Sequence, residues 1–249
     1  MRKNSGSLAT VQFWIVILCL LGGVGLGQGS ALAASPSLDG YRVQAEAGGT
    51  IRGRVLYIGK PVRPEKIIYT ANLSVCGNTR EVYPIRVKHG GVADAVVSIA
   101  NITHGKAFDF PRPVLDQKKC MFVPSVLLMG PGRLEVENSD PIAHDVQLFA
   151  RFNPESNHEM PPGGPPIELP LPHPETVTIR CNIHKVECYV VIARNPYYAL
   201  TRSGGAFTLA DVPPGTYQLK VWQPELGAKV LSVTVEAGKT TTANFRLGR

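Results

Sequence analysis

The chain has 249 residues, with 26 Lys and Arg against 19 Asp and Glu. Its formal charge of +7 is not gathered into a basic stripe, which excludes nucleic acid as an expected partner and leaves the charge bearing on solubility and on encounter with acidic surfaces. Glycine and proline are abundant, at 25 and 21, and separate short Val/Ile/Thr-rich runs, so the composition predicts an all-β sandwich architecture and no long helix. No P-loop, dinucleotide motif or nucleophile, base and orienter set is present, and the chain is expected not to be an enzyme.

Arg2 and Lys3 precede an apolar run from Val11 to Leu26, and Ala31-Leu32-Ala33 follows as an A-x-A cleavage signal. The run holds Gly22, Gly23 and Gly25 and is shorter than the ~20 residues of a spanning helix. Residues 1–33 therefore read as a secretory signal peptide, with a periplasmic or extracellular mature chain and no stable membrane insertion. Retention of the segment would leave a membrane anchor.

Export decides how the cysteines are read. Cys76, Cys120, Cys181 and Cys188 remain after cleavage, and in an oxidising compartment the default for each is a disulfide, with three connectivities open. Neither Cys76 nor Cys120 has a histidine at ligand spacing, so these two are the expected bridge.

Strands are predicted at Thr50–Tyr57, before a Gly59-Lys60-Pro61-Val62 turn, and at Val92–Ile99. A middle segment follows: Phe122–Met129, a Gly-Pro-Gly turn ending at Gly132, Arg133–Asn138 and His144–Leu148. The stretch from Asn157 to Pro174 is Pro-rich and expected to be an exposed extended loop; it contains Met160, the remaining thioether candidate, which is not expected to be a ligand, and His158 and His173, which are expected to face solvent. Thr176–Cys181 and Tyr189–Ile192 are the next strands. The C-terminal part supplies Ala206–Leu209, Asp211–Trp222, Val230–Val235 and Thr241–Leu247.

One constellation carries chemistry. His144, Cys181 and His184, the last two in Cys181-Asn182-Ile183-His184, offer the two imidazoles and one thiolate that a trigonal type 1 copper site needs. Its weak fourth ligand usually comes just after the last histidine, where this chain has Lys185-Val186-Glu187-Cys188 and no methionine. Glu187 is the nearest candidate, as an axial oxygen. A Cys181–Cys188 disulfide is the competing arrangement and would remove the thiolate.

The middle strands resemble a cupredoxin, whose aromatic-x-Pro strand, turn and apolar strand lead to an asparagine and then the first copper histidine. Gly53-x-Val55, Gly59-Lys60-Pro61-Val62 and Val212-Pro213-Pro214-Gly215-Thr216-Tyr217 resemble the carboxypeptidase regulatory-like domain, a transthyretin-like β-sandwich. The combination is similar to exported proteins of the methylamine-utilisation or cupredoxin-like type, and Asn195-Pro196-Tyr197-Tyr198 matches their junction. The resemblance implies a cupredoxin-like domain at 106–195, inserted in or adjacent to a discontinuous sandwich at 48–105 plus 196–249. It further implies a single-electron copper carrier with an exported redox partner such as a cytochrome or dehydrogenase. Two alternatives stay open: a metal-free structural, adhesion or glycan-binding module, and copper handling without electron transfer.

Overall fold

Alternating apolar and polar residues mark several of the strands, His144–Phe149 and Gly215–Gln223 among them. The computed structural model describes residues 40–44 and 46–249; the expected signal peptide at 1–33 lies outside them. The chain begins with β1 (Arg42–Val43) and β2 (Gly49–Tyr57), then a hairpin of β3 (Glu65–Ile68) and β4 (Thr79–Val82) whose connection holds a single helical turn, α1 (Leu73–Cys76). Four short strands follow: β5 (Val87–Lys88), β6 (Gly91–Val92), β7 (Val96–Ile99) and β8 (His104–Gly105). The middle of the chain contributes β9 (Val114–Lys118), β10 (Met121–Val123), β11 (Val126–Met129), β12 (Gly132–Asn138) and β13 (His144–Phe149). It continues through β14 (Ser156–Met160), β15 (Ile167–Leu171), β16 (Thr176–Cys181) and β17 (Val186–Ile192). The last part adds β18 (Tyr198–Leu200), β19 (Ala206–Val212), β20 (Gly215–Gln223), β21 (Gly227–Val235), β22 (Thr240–Thr242) and β23 (Phe245–Leu247).

Two of the sheets are built wholly from the middle strands. One has the order β10-β9-β12-β15 and the other β11-β17-β16-β13-β14. Leu115, Leu134 and Val136 from the first sheet meet Val146, Leu148, Val177, Ile179 and Val190 from the second in one buried core. The burial of β13, with His144, Val146 and Leu148 inward and Asp145, Gln147 and Phe149 less so, follows directly from the period-2 pattern of its sequence. Each such branched side chain, fully buried, contributes on the order of 1.5–3 kcal/mol.

The stretch expected to be an exposed loop instead supplies two strands, β14 and β15, on either side of Pro161–Pro166, and Met160 is only 2% exposed. Its Pro170 is tolerated because β15 is an edge strand, paired only with β12.

Strands from both ends of the chain share the other two large sheets. β2 pairs with β19, β22, β23 and β6, while β7 lies between β18 and β20. Val55, Phe207, Tyr217 and Phe245 belong to their common core. A Cβ on Gly53 would stand 1.6 Å from the Ala243 carbonyl oxygen, so glycine is needed where the last strands cross β2. The Tyr217 hydroxyl donates to the Pro213 carbonyl at 2.9 Å, closing the Pro-Pro-Gly-Thr-Tyr corner on itself.

β7 is buried at every position because it is covered on both faces. One face lines the core just described; on the other, Val96 packs with Val126 and Val191 of the middle strands, and Trp222 meets Tyr189 edge-on at 5.8 Å. The chain leaves and rejoins this sheet at one place. The Tyr197 hydroxyl accepts the Lys106 N–H at 3.0 Å and donates to the Asp211 carbonyl at 2.9 Å, and Asn195 Nδ2 donates to the Ile99 carbonyl at 2.9 Å.

Candidate metal centre

His144 opens β13 and Cys181 closes β16, two adjacent antiparallel strands of the same sheet, and both side chains point inward. After Cys181 the chain reverses through Lys185, which sits in the left-handed region at φ 56°, and this turn brings His184 back under the sheet end. Asp145, next to His144 but on the opposite face, holds that turn. Its carboxylate accepts Asn182 Nδ2 at 2.8 Å and the Ile183 amide at 3.2 Å. Burial would raise the Asp145 pKa, but the Ile183 and Asn182 amides outweigh it and hold the carboxyl below its ordinary value.

Three ligand atoms converge as a result. Cys181 Sγ lies 3.7 Å from His144 Nδ1 and 3.4 Å from His184 Nδ1, and the two ring centroids are 4.5 Å apart. Exposure is 1% for His144, 0% for Cys181 and 2% for His184, and all three ligand atoms lie within 4.8 Å of one another.

The outward nitrogens are also held. His144 Nε2 donates to Asp140 Oδ2 at 3.0 Å, which leaves the Nδ1 lone pair facing the sulfur. Asp140 is itself fixed by the backbone amides of Lys119 and Cys120, at 2.6 and 2.7 Å. His184 Nε2 lies 3.1 Å from the side-chain amide of Asn72, the N-cap of α1, and an amide meets either tautomer because it offers both a donor and an acceptor. Tyr69 stands edge-on to the same ring at 6.2 Å.

Burial sets the protonation of the metal-free trio. It lowers both imidazoles, His144 against the opposing pull of Asp140 and His184 with added repulsion from His144, so both are neutral near pH 7. It pushes the Cys181 thiol up to about 11, so a bound metal has to displace the thiol proton. Two neutral imidazoles presenting Nδ1 and one buried sulfur, with no carboxylate among them, form a donor set that fits copper in a trigonal His₂Cys arrangement.

Glu187 does not belong to this set. β17 starts at Val186, and alternation turns Val186 and Cys188 inward and Glu187 outward. There it pairs with Arg180 at 2.9 Å and accepts the Tyr189 hydroxyl at 2.7 Å. The expected axial oxygen is corrected accordingly, because no loop residue separates the turn from the strand.

Cys181 and Cys188 are both free and buried. In the ladder Cys181 faces Val186 and Cys188 faces Ile179, so the two cysteines are diagonal neighbours, about 7–8 Å apart at Cα and beyond ordinary disulfide reach. Cys76 and Cys120 form a disulfide, which ties α1 to the turn between β9 and β10.

Asn72, Tyr69, Asp140 and Asp145 complete the surroundings without having been singled out as site residues from the sequence. Asp140 and Asp145 had a local signal, four residues before and one residue after His144 in the stretch that delivers the histidine.

Comparison with known proteins adds a second theme. Residues 192–243 match the family described as polysaccharide lyase family 4, domain II. Over 49 residues, 20% of this chain, the sequence is 46% identical to rhamnogalacturonate lyase A of Aspergillus aculeatus and 44% identical to the protein of the same name from Emericella nidulans. The chain spans 9% of the length of those lyases.

The lyase matches overturn the expectation that the chain is not an enzyme, which rested on finding no catalytic motif. Over residues 192–243 the match is to the lyase domain, and the carboxypeptidase regulatory-like resemblance is not shown.

Among solved structures, reduced amicyanin is 20% identical and aligns over 32% of this chain and 81% of its own, with a TM-score of 0.30. A purple cupredoxin from Nitrosopumilus maritimus aligns over 32% of this chain and 99% of its own, at 12% identity and a TM-score of 0.28. A copper-containing nitrite reductase from Thermus scotoductus SA-01 aligns over 38% and 25%, at 17% identity and a TM-score of 0.29. No helix among the described residues is long and apolar enough to cross a membrane.

Proposed function

We propose that this chain is an exported copper protein whose His144, Cys181 and His184 hold one copper ion for single-electron exchange with another exported redox protein, such as a cytochrome or dehydrogenase. The observation that supports it is the convergence of both Nδ1 atoms on the buried Cys181 sulfur while both Nε2 atoms are held by Asp140 and Asn72. Copper, when bound, supplies Cu(I)/Cu(II) cycling.

The chain's own part is to keep the ligands still. His144 and Cys181 stand on two paired strands, Asp145 clamps the turn that carries His184, and the surrounding core excludes water. Met160 lies directly across from His144 in the β13–β14 ladder, with its side chain on the same inward face, and takes the fourth, weak position in this reading.

We assign the metal site to a module at 106–195 and the lyase-like sandwich to residues 48–105 plus 196–249. Purified mature protein is expected to take up one Cu(II) with strong thiolate-to-copper visible absorption that disappears in Cys181→Ser. Stoichiometric uptake without the band would redirect the reading to copper handling.

The 46% identity to a rhamnogalacturonate lyase favours a second reading, in which the chain binds or cleaves an acidic polysaccharide. Incubation with rhamnogalacturonate, followed by ultraviolet absorbance of newly formed unsaturated chain ends and by sedimentation with insoluble polymer, tests cleavage and binding separately.

A further inference from the structure

His184 stands between one sulfur ligand and a pair of them. On one side is Cys181; on the other is the Cys76–Cys120 disulfide, and the ligand atoms of Cys76, Cys120 and His184 also lie within 4.8 Å of one another. The imidazole presents Nδ1 to Cys181, so its Nε2, on the Asn72 side, is the nitrogen left for a second ion.

The disulfide also underlies both outer partners of the histidines. Asn72 accepts the Cys76 backbone N–H at 3.0 Å, and the Cys120 N–H is one of the two amides that fix Asp140.

We infer that reduction of Cys76–Cys120 unmasks a second, thiolate-rich metal site made of Cys76, Cys120 and His184, which takes a soft monovalent ion such as Cu(I). The inference does not depend on copper binding by the His144, Cys181 and His184 trio.

The exchange balances with a dithiol as reductant. Its thiolate attacks Cys76, the half-buried partner of the bridge, forming a mixed disulfide and releasing the Cys120 thiolate, and its second thiol then closes the reductant's own disulfide. Two electrons pass to the protein sulfurs, and the two protons of the dithiol end on Cys76 and Cys120. Both are released again when the two sulfurs bind metal as thiolates.

Thiolates select Cu(I) over harder ions, and two of them with one imidazole provide a three-coordinate set. Asn72, whose amide meets Nε2 in the oxidised protein, yields that nitrogen when the α1 tether is cut. In the oxidised chain His184 faces one free thiol, Cys181, and in the reduced chain it faces the two thiols of the opened bridge as well, so the redox state of the bridge governs whether a soft ion is held beside α1.

The test uses the full mature chain carrying Cys181→Ser, which removes the only thiol of the first site. Reduced anaerobically and desalted, it is titrated with Cu(I) against a competing chromogenic chelator; an oxidised sample of the same variant is the control. The expected result is one equivalent taken from the chelator by the reduced protein and none by the oxidised protein, with His184→Ala in the same background weakening uptake about tenfold or more.

Equal uptake in both redox states overturns the inference, as does uptake indifferent to His184→Ala, which would be plain dithiol capture. Loss of the β-sheet circular dichroism on reduction overturns it too, because the site requires the folded chain. Absence of the visible band in oxidised, Cu(II)-treated wild type would instead count against the first site and leave this one standing.

Discussion

Asp140 grips His144 through a 3.0 Å bond from Nε2 to Oδ2 while two backbone amides hold the carboxylate in place. A buried carboxylate in that position orients the ring and makes Nδ1 a stronger donor. Asp140→Asn is therefore expected to lower copper affinity by about 10–100-fold and to raise the reduction potential. Competition titration and protein-film voltammetry check the two effects, and an unchanged potential would reduce Asp140 to a purely structural part of the 138–144 loop.

Strand alternation separates Met160 from Glu187. Glu187→Gln is expected to leave the copper spectrum as it is, since the side chain faces Arg180 and Tyr189 on the outer surface. Met160→Leu keeps the volume, costs less than about 1.5 kcal/mol in stability, and is expected to alter the visible spectrum of the copper form. A spectrum sensitive to Glu187 and blind to Met160 would reverse the assignment.

Glu175 gathers the 151–153 backbone beneath the middle sheets, accepting the amides of Arg151, Phe152 and Asn153 at 2.8–2.9 Å and Asn153 Nδ2 at 2.7 Å. Burial opposes ionisation, but these donors prevail and hold the folded pKa below the ordinary 4.5. A depressed carboxylate contributes stability that is present above its unfolded value and is lost as pH falls through the folded value. Glu175→Gln is expected to cost about 1–2 kcal/mol at neutral pH, at the modest end for bonds to a charged group, and to flatten this part of the acid dependence. Melting curves from neutral pH down to about 3 measure both effects.

The disulfide closes a loop between residues 44 apart in sequence. By the chain-entropy relation its removal in Cys76→Ser with Cys120→Ser is expected to cost about 4 kcal/mol. Denaturant titration reads the loss as a lower midpoint. A change below about 1 kcal/mol would mean that the β3–β4 hairpin holds its place by packing alone, through Tyr69 and Ile67.

The parts of the centre visible in the sequence were those encoded locally. Cys181 and His184 are three residues apart at the end of an alternating run, and His144 follows an apolar strand and Asn138, so spacing and period suffice to nominate them. Asn72 could not be found in this way: it meets His184 across 112 residues, through a hairpin with no patterned link to the metal strands.

Composition argued against Met160, although it is the remaining thioether candidate. The prolines around it suggested an exposed loop, whereas β14 ends immediately before them and pairs with β13 in register. Glu187 failed for a different reason: β17 begins at Val186, three residues before the strand expected at Tyr189–Ile192, so Glu187 lies within the strand on its outward face and not in the ligand loop. The match of residues 192–243 to a lyase domain came from overall similarity and not from a catalytic motif, which is why reading for motifs alone pointed away from enzymes.

The clamp at Tyr197, where Lys106 departs and Asn195 returns, has a consequence for how such a molecule could arise and change. A polypeptide that exits and re-enters a sheet at a single point hardly disturbs the strands on either side, and closing a longer excursion adds entropy cost only logarithmically. The intervening stretch can thus be enlarged with little effect on the pairing of the flanking strands, whereas its loss would uncover Val96 and Trp222. Joining Gly105 to Asn195 through a short glycine linker is the laboratory version of the same event.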